Sequence, residues 1–408
     1  MLSLLVNPEL INNKKVSKLY PKDVVARAKL YAGAVPSIGA YSDSMGIRLV
    51  REDVAAFIAA RDGFPASADD IFLTDGASSG VKAVMQLMIR GPHDSVLCPI
   101  PQYPLYSATT TLLDGTLAPY YLDEAVAWGI TEAELIKSYD ESRAAGCTPR
   151  AIAVINPGNP TGQSLPQAMI ETILAFAAER GLVVLADEVY QENVYGDAPA
   201  FTSFKRAYAA LEAKGAAGDD TAAATAAKVQ LVSFHSTSKG FFGECGLRGG
   251  YFELSGISAD LKAQLVKLAS LCLCSNVIGQ MATGLMIKPP AKGEPSYKRY
   301  TQEKKAILSS LHSRAQHIAK ALNELPGISC NAAEGAMYLF PQLHLPEKAV
   351  AAADAAGYPA DEFYCLRLLG ALGDPLRVHL LSISPRCHPR CISHSILRSW
   401  HACRVPLV

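Results

Sequence analysis

The sequence predicts an α/β protein: a mostly parallel central sheet flanked by helices, with a smaller α+β unit after it. Three observations carry this expectation. They are the length of the chain, a strand–turn–helix pattern that recurs from about residue 71 to 251, and the make-up of the strands. A chain of 408 residues is too long for one simple core and implies two linked lobes. Half of its residues are hydrophobic and 19% are charged, enough apolar material to fill such cores.

The pattern itself comes next. Short apolar runs at 71–73, 95–98, 151–155, 182–186 and 230–234 are rich in Val, Ile and Leu, and most do not alternate. Such runs read as strands buried on both faces of a parallel sheet. Helix-like stretches between them, such as 169–180, complete the α/β winding. Residues 209–227, Ala-rich and broken by Gly, read as a surface insertion, and 288–297, rich in Pro, Gly and Lys, as a connector. A long half-exposed helix is expected over 300–324 and strand over 331–341. The resulting division is an N-terminal segment 1–47, a large domain 48–287, a small domain 288–369 and a tail 370–408.

Charge and composition exclude whole classes of function. The formal net charge is 0, which argues against nucleic acid as a partner, since phosphate backbones need a basic face. No apolar run approaches the roughly 20 residues that span a bilayer, so no membrane association is expected. The start, Met1-Leu2-Ser3-Leu4-Leu5-Val6, is apolar but short and has no basic flank, and reads as a trimmed or irregular terminus rather than a secretory signal. Cysteines in apolar segments, such as Cys98, Cys272 and Cys274, read as buried reduced thiols. That suits the cytoplasm or an organelle matrix.

Ligands of open α/β sheets sit beyond the carboxyl ends of the strands. There the sequence is unusual at four places. Thr74-Asp75-Gly76-Ala77-Ser78-Ser79-Gly80 opens a helix-like run with small residues. Free amides and the positive end of a helix dipole make an anion site there; an ordinary capping turn is the plainer alternative. Asn156-Pro157-Gly158-Asn159-Pro160-Thr161-Gly162 is either a rigid turn presenting Asn159 as a donor to a phenolate-like oxygen or a plain turn. Asp187-Glu188-Val189-Tyr190 ends an apolar strand on an acid, which needs a cationic partner or serves as a helix cap. In His235-Ser236-Thr237-Ser238-Lys239-Gly240, a lysine at a buried strand end loses basicity and becomes a Schiff-base nucleophile; a solvated lysine is the alternative. Ser236, Ser238 and Arg248 can hold a phosphate. One ligand asks for all four features at once: a phosphate, a phenolic oxygen, a pyridine nitrogen and an aldehyde together describe pyridoxal 5'-phosphate (PLP).

On these residues the chain resembles the fold-type I PLP-dependent aminotransferases, and within them the alanine aminotransferase group. The resemblance runs through Gly39-Ala40-Tyr41-Ser42, Pro101-Gln102-Tyr103-Pro104-Leu105-Tyr106, Ser233 to Tyr251 and Glu334-Gly335-Ala336-Met337-Tyr338-Leu339-Phe340-Pro341, covering roughly residues 5 to 369. It implies that Lys239 holds PLP, that Asp187 pairs with the pyridine nitrogen, and that Tyr190 and Asn159 contact the phenolic oxygen. It further implies Tyr103 stacked on the ring, and Ala77, Ser78, Ser236, Ser238 and Arg248 on the phosphate. Packing within a Pro-rich turn is the alternative for Tyr103. Gly39 would lie near the substrate and Tyr41 would reach the phosphate of a neighbouring subunit, making a homodimer; core packing is the alternative for Tyr41. The implied reaction is L-alanine plus 2-oxoglutarate giving pyruvate plus L-glutamate. The alternatives are glutamate:glyoxylate or another amino-acid transamination, or a catalytically impaired PLP-binding isoform.

Both ends depart from the group's pattern. The group carries a longer region before the segment matching 6–31. After residue 369 it would continue with a strand, a Gly-rich turn and an arginine that binds the substrate carboxylate. Here the composition shifts to Leu, Ser, Arg, His, Cys and Pro, with Asp374 the only acid. The tail is read first as a translated alternative frame or unspliced segment and second as an unstructured tail. A metal site at Cys387, His388, Cys391 and His394 is third, and its spacing is not that of a structural zinc module, so no metal is expected.

Overall fold

In the computed structural model, residues 1–195, 200–372 and 405–406 are described. Seven strands form the central sheet: β1 (Ile71–Thr74), β2 (Asp94–Ile100), β3 (Thr116–Tyr121), β4 (Thr148–Ile155), β5 (Val183–Asp187), β6 (Gln230–Ser236) and β7 (Gly250–Ser255). Their spatial order is β1-β7-β6-β5-β4-β2-β3. The pairs β2–β3, β2–β4, β4–β5 and β5–β6 are parallel, while β7 runs antiparallel to β1 and β6. All five apolar runs are strands. Pro119 breaks the apolar pattern of β3, and a proline is tolerated there because β3 is an edge strand. β7 opens on Gly250, where a Cβ would meet His235 O at 2.8 Å and Ala77 N at 3.0 Å. Only glycine lets this strand pass so close to both β6 and the helix Ala77–Met88.

The sheet is buried on both faces, as its sequence requires. One core joins Ile152, Val154 and Val184 to the helices Gln167–Arg180 and Phe204–Ala216. The other joins Val96, Leu185, Val232 and Phe234 to Val81 and Met85 of Ala77–Met88. The stretch 209–227 lies largely at the surface, as expected, but is helical: it forms the end of helix Phe204–Ala216 and helix Asp220–Ala226, with Ala209, Ala222 and Ala226 buried. Alanine buries little area per residue, so its contribution there left no amphipathic contrast to read.

The chain's start is a short helix, Leu2–Val6, with Leu4 and Leu5 buried, and not an irregular end. Cys98 is buried as expected, but Cys272 is exposed. Beyond the sheet, helix Tyr297–Asn323 packs Leu311, Ala315 and Leu322 against Leu339 and Tyr195 in a separate cluster. Within 331–341 only Tyr338–Leu339 is strand. No helix among the described residues is long and apolar enough to cross a membrane. The four His and Cys positions of the tail, and the rest of 373–404, lie outside the described residues.

Candidate active site

The carboxyl ends of β4, β5 and β6 converge. Asp187 is the last residue of β5 and is buried. Its carboxylate accepts from Tyr106 Oη at 3.1 Å and from the Val189 amide at 3.4 Å. Burial pushes the carboxyl up to about 6, against the Tyr106 hydrogen bond, the Val189 amide and the charge of Lys239, which pull it down. Three residues on, Tyr190 is fully buried, and its hydroxyl accepts from Asn159 Nδ2 at 3.2 Å. The Asn159 turn follows β4 and is held to the sheet through Asn156, whose amide donates to Asp187 O at 3.0 Å.

Lys239 follows β6, and its Nζ stands 5.3 Å from the centre of the Tyr190 ring. The lysine is half-buried, more open than a sealed strand end. Ser236, the last residue of β6, accepts from the Ser238 amide at 3.0 Å, which shapes the turn that presents Lys239. Thus Asp187, Tyr190, Asn159 and Lys239 share one place.

A second group gathers at the start of helix Ala77–Met88. Arg248 donates from Nη2 to Asp75 O at 2.9 Å and from Nη1 to Cys245 O at 3.1 Å. Its guanidinium has no carboxylate partner among the described residues. Gly76 has φ 79°, and a Cβ there would lie 2.4 Å from Arg248 Nη2. The arginine therefore rests directly on the turn that carries the opening amides of Ala77 and Ser78. Ser78 is half-buried and Ala77 buried.

Tyr103 is half-buried and packs against the core that carries Tyr190 and Val189. It precedes helix Leu105–Leu112, whose first turn carries Tyr106. Gly39 and Tyr41 are apart from these groups. Gly39 is exposed and Tyr41 is 75% exposed, which excludes core packing for Tyr41.

The sequence reading missed three features. Tyr106 bonds to Asp187 across 81 residues of sequence, a distance no local pattern reveals. Tyr338 meets the edge of Tyr190 with ring centres 6.2 Å apart. Behind β5 and β6 lies a buried ionic cluster. Arg61 grips Asp62 at 2.6 Å and donates to Gln191 Oε1 at 2.8 Å, with Glu188 at 3.9 Å. Burial pushes Glu188 up to about 8 and His235 down to about 3.

The model matching this chain is that of aminotransferase class I and II, over residues 11–367. The chain belongs to that family. The family's enzymes are PLP-dependent, and their substrates are amino acids and 2-oxo acids. Alanine aminotransferase 2 of Panicum miliaceum is 51% identical over 375 residues, spanning 91% of this chain and 76% of that protein. Glutamate–glyoxylate aminotransferase 2 of Arabidopsis thaliana is 47% identical over 374 residues, spanning 91% and 76%. Among solved structures, an aminotransferase from Escherichia coli matches with a TM-score of 0.61 and 25% identity, over 77% of this chain and 70% of that one.

The residues present fit the aminotransferase cofactor. Asn159 Nδ2 spends one of its two N–H groups on Tyr190, so its amide has a donor left for an acceptor such as the phenolic oxygen. The cradle at Gly76 would be filled by any side chain, and the guanidinium beside it lacks an anion. A buried carboxylate, a lysine amine and an anion cradle are the chemistry that a phosphorylated, cationic aldehyde requires.

Proposed function

We propose that this aminotransferase converts L-alanine and 2-oxoglutarate to pyruvate and L-glutamate. The observation that carries the proposal is the meeting of Lys239, Asp187, Tyr190 and Asn159 at three adjacent strand ends, in a chain half identical to a protein named alanine aminotransferase. When bound, PLP supplies an aldehyde carbon that links to amines and a protonated ring that accepts the electron pair released at the substrate Cα.

The chain's own groups do the rest. Lys239 would hold the cofactor through its Nζ and, once freed by the incoming amino acid, would serve as the general base for the Cα proton and as the general acid that delivers a proton to the cofactor side. Asp187 holds a proton on the ring nitrogen. Tyr190 and Asn159 donate to the phenolic oxygen, and Tyr103 covers the ring. Ala77, Ser78, Ser236, Ser238 and Arg248 hold the phosphate. Gly39 borders the substrate and Tyr41 reaches across to a second copy of the chain. The exposure of Tyr41 supports that role, and with it a homodimer. The likeness to a glutamate–glyoxylate aminotransferase supports a second reading, transamination between glutamate and glyoxylate. The cytoplasm or an organelle matrix is the compartment proposed, and the likeness to proteins named mitochondrial alanine aminotransferases supports the matrix.

Steady-state rates with alanine, glutamate and glyoxylate decide between the two substrate pairs. Alanine should show the highest kcat/KM with 2-oxoglutarate as acceptor. A higher value for glutamate with glyoxylate overturns the first reading. If PLP binds and alanine alone converts none of it to the pyridoxamine form, the chain is a binding protein and not an enzyme. In Lys239→Ala the visible absorption band of the lysine-linked cofactor should be absent, and its persistence would refute the lysine's role.

A further inference from the structure

Helix Leu105–Leu112 starts immediately after Pro104, and its first turn brings Tyr106 against the end of β5. The Tyr106 ring is completely buried in the core with Cys98, Val189 and Tyr190. Its hydroxyl has one polar contact that matters here, the 3.1 Å donation to Asp187 Oδ2. The other carboxylate oxygen accepts from the Val189 amide. Asp187 is thus held from two sides, by a side chain of one element and the backbone of its own turn.

We propose that Tyr106 is a positioning residue for the cofactor site, fixing the Asp187 carboxylate in orientation and in its ionised form so that it can hold a proton on the ring nitrogen. The inference rests on the reading that Asp187 faces that nitrogen.

A carboxylate in a nearly dry site tends to take up a proton and become neutral, and a neutral acid cannot hold a ring cation. Donation from a phenol favours the ionised form. The phenol cannot itself compete for the charge, because its own burial and the facing carboxylate raise it well above the ordinary tyrosine range. The other groups facing the pair are few. Lys239 acts on Asp187 from the loop after β6, and Cys98 on β2 and Tyr120 on β3 act on Tyr106. Cys98 and Tyr120 are neutral at physiological pH, because burial pushes the thiol and the phenol far up.

The test compares Tyr106→Phe with Asp187→Asn in the holoenzyme and in the PLP-free protein. Tyr106→Phe keeps the ring and removes one donor. It should weaken PLP binding roughly tenfold in a titration of the PLP-free protein, the worth of one hydrogen bond to a charged group. It should lower kcat by about tenfold with KM changed less than about twofold, and move the acidic limb of the kcat profile to higher pH. Asp187→Asn should lose more on both measures. If Asp187→Asn is impaired while Tyr106→Phe matches the wild type in PLP affinity and pH profile, the positioning role is wrong and the Asp187 reading stands. If Asp187→Asn binds PLP and turns over like the wild type, the Asp187 reading itself fails. Should Tyr106→Phe not fold, replacement of Tyr106 by 4-aminophenylalanine, which keeps the shape with a weaker donor, decides. A PLP affinity below the wild type supports the role, and an equal one overturns it.

Discussion

Asn159 Nδ2 donates to the Tyr190 hydroxyl across 3.2 Å, tying the turn after β4 to the turn after β5 before any ligand arrives. The link spends one of the two N–H groups of the amide and leaves the other for an acceptor on the ligand. Asn159→Ala should therefore cost less in the PLP-free protein than in the loaded one. We expect unfolding of the PLP-free protein to change by under about 1 kcal/mol, and PLP affinity to fall by roughly tenfold to a hundredfold. Urea denaturation and a PLP titration measure the two. Equal losses in both would mean that Asn159 only braces the turn.

Gly76 is a sharper probe of the phosphate cradle. Its φ of 79° lies in the left-handed region, where a side chain costs about 1 kcal/mol. A Cβ there also falls 2.4 Å from Arg248 Nη2, so the guanidinium must move. Gly76→Ala should lower unfolding free energy by about 1–2 kcal/mol and weaken PLP binding beyond what stability alone explains. Inorganic phosphate should protect the wild-type PLP-free protein against thermal unfolding and the variant less. Equal protection would remove Arg248 from the cradle.

Much of this was legible in the sequence because the relevant signals are local. The five Val-, Ile- and Leu-rich runs are strands buried on both faces, and the chemistry-bearing residues follow them directly, as at Asp187 and Ser236. What was not legible depended on contacts between distant residues. The Tyr106–Asp187 bond needs the two elements already docked. β3 was hidden by Pro119, which is harmless because no strand among the described residues pairs with its outer edge. The helices in 204–226 were hidden by alanines, which stand on both the buried and the exposed sides and so give no hydrophobic contrast. Nothing local in the sequence marks Glu188, which is buried with Arg61 and accepts from the Phe204 amide at 2.7 Å.

Arg61 is the hub of that cluster and should matter for stability. Its guanidinium serves Asp62 and Gln191, with Glu188 nearby. Arg61→Met leaves Asp62 buried without its cation. Removing one partner of a buried pair costs about 3–5 kcal/mol. Chemical denaturation should show a loss of that order, and a change below about 1 kcal/mol would show that the buried acids manage without it.

Glu188 predicts how stability varies with pH. Burial raises its carboxyl from an ordinary 4.5 to about 8, so between those values the folded chain binds a proton that the unfolded chain has released. A carboxyl raised on folding stabilises below its unfolded value, and the benefit is lost as pH rises through the window to about 8. His235 acts in the opposite sense. Held neutral by burial, with its proton affinity lowered from 6.5 to about 3, it makes the folded state more stable as pH rises through that lower window. Between about 4.5 and 6.5 the two slopes oppose each other, and above about 6.5 only the Glu188 slope remains of the two. Glu188→Gln keeps an oxygen to accept from the Phe204 amide and removes the titration. The unfolding free energy of the variant minus that of the wild type should therefore climb between about pH 5 and pH 8, at up to roughly 1.4 kcal/mol per pH unit. Any fixed penalty from the substitution shifts that difference without tilting it. Urea denaturation of the PLP-free protein at pH 5, 6, 7 and 8 measures the tilt, and a flat difference would show that Glu188 stays ionised on folding, held by Arg61 against its burial.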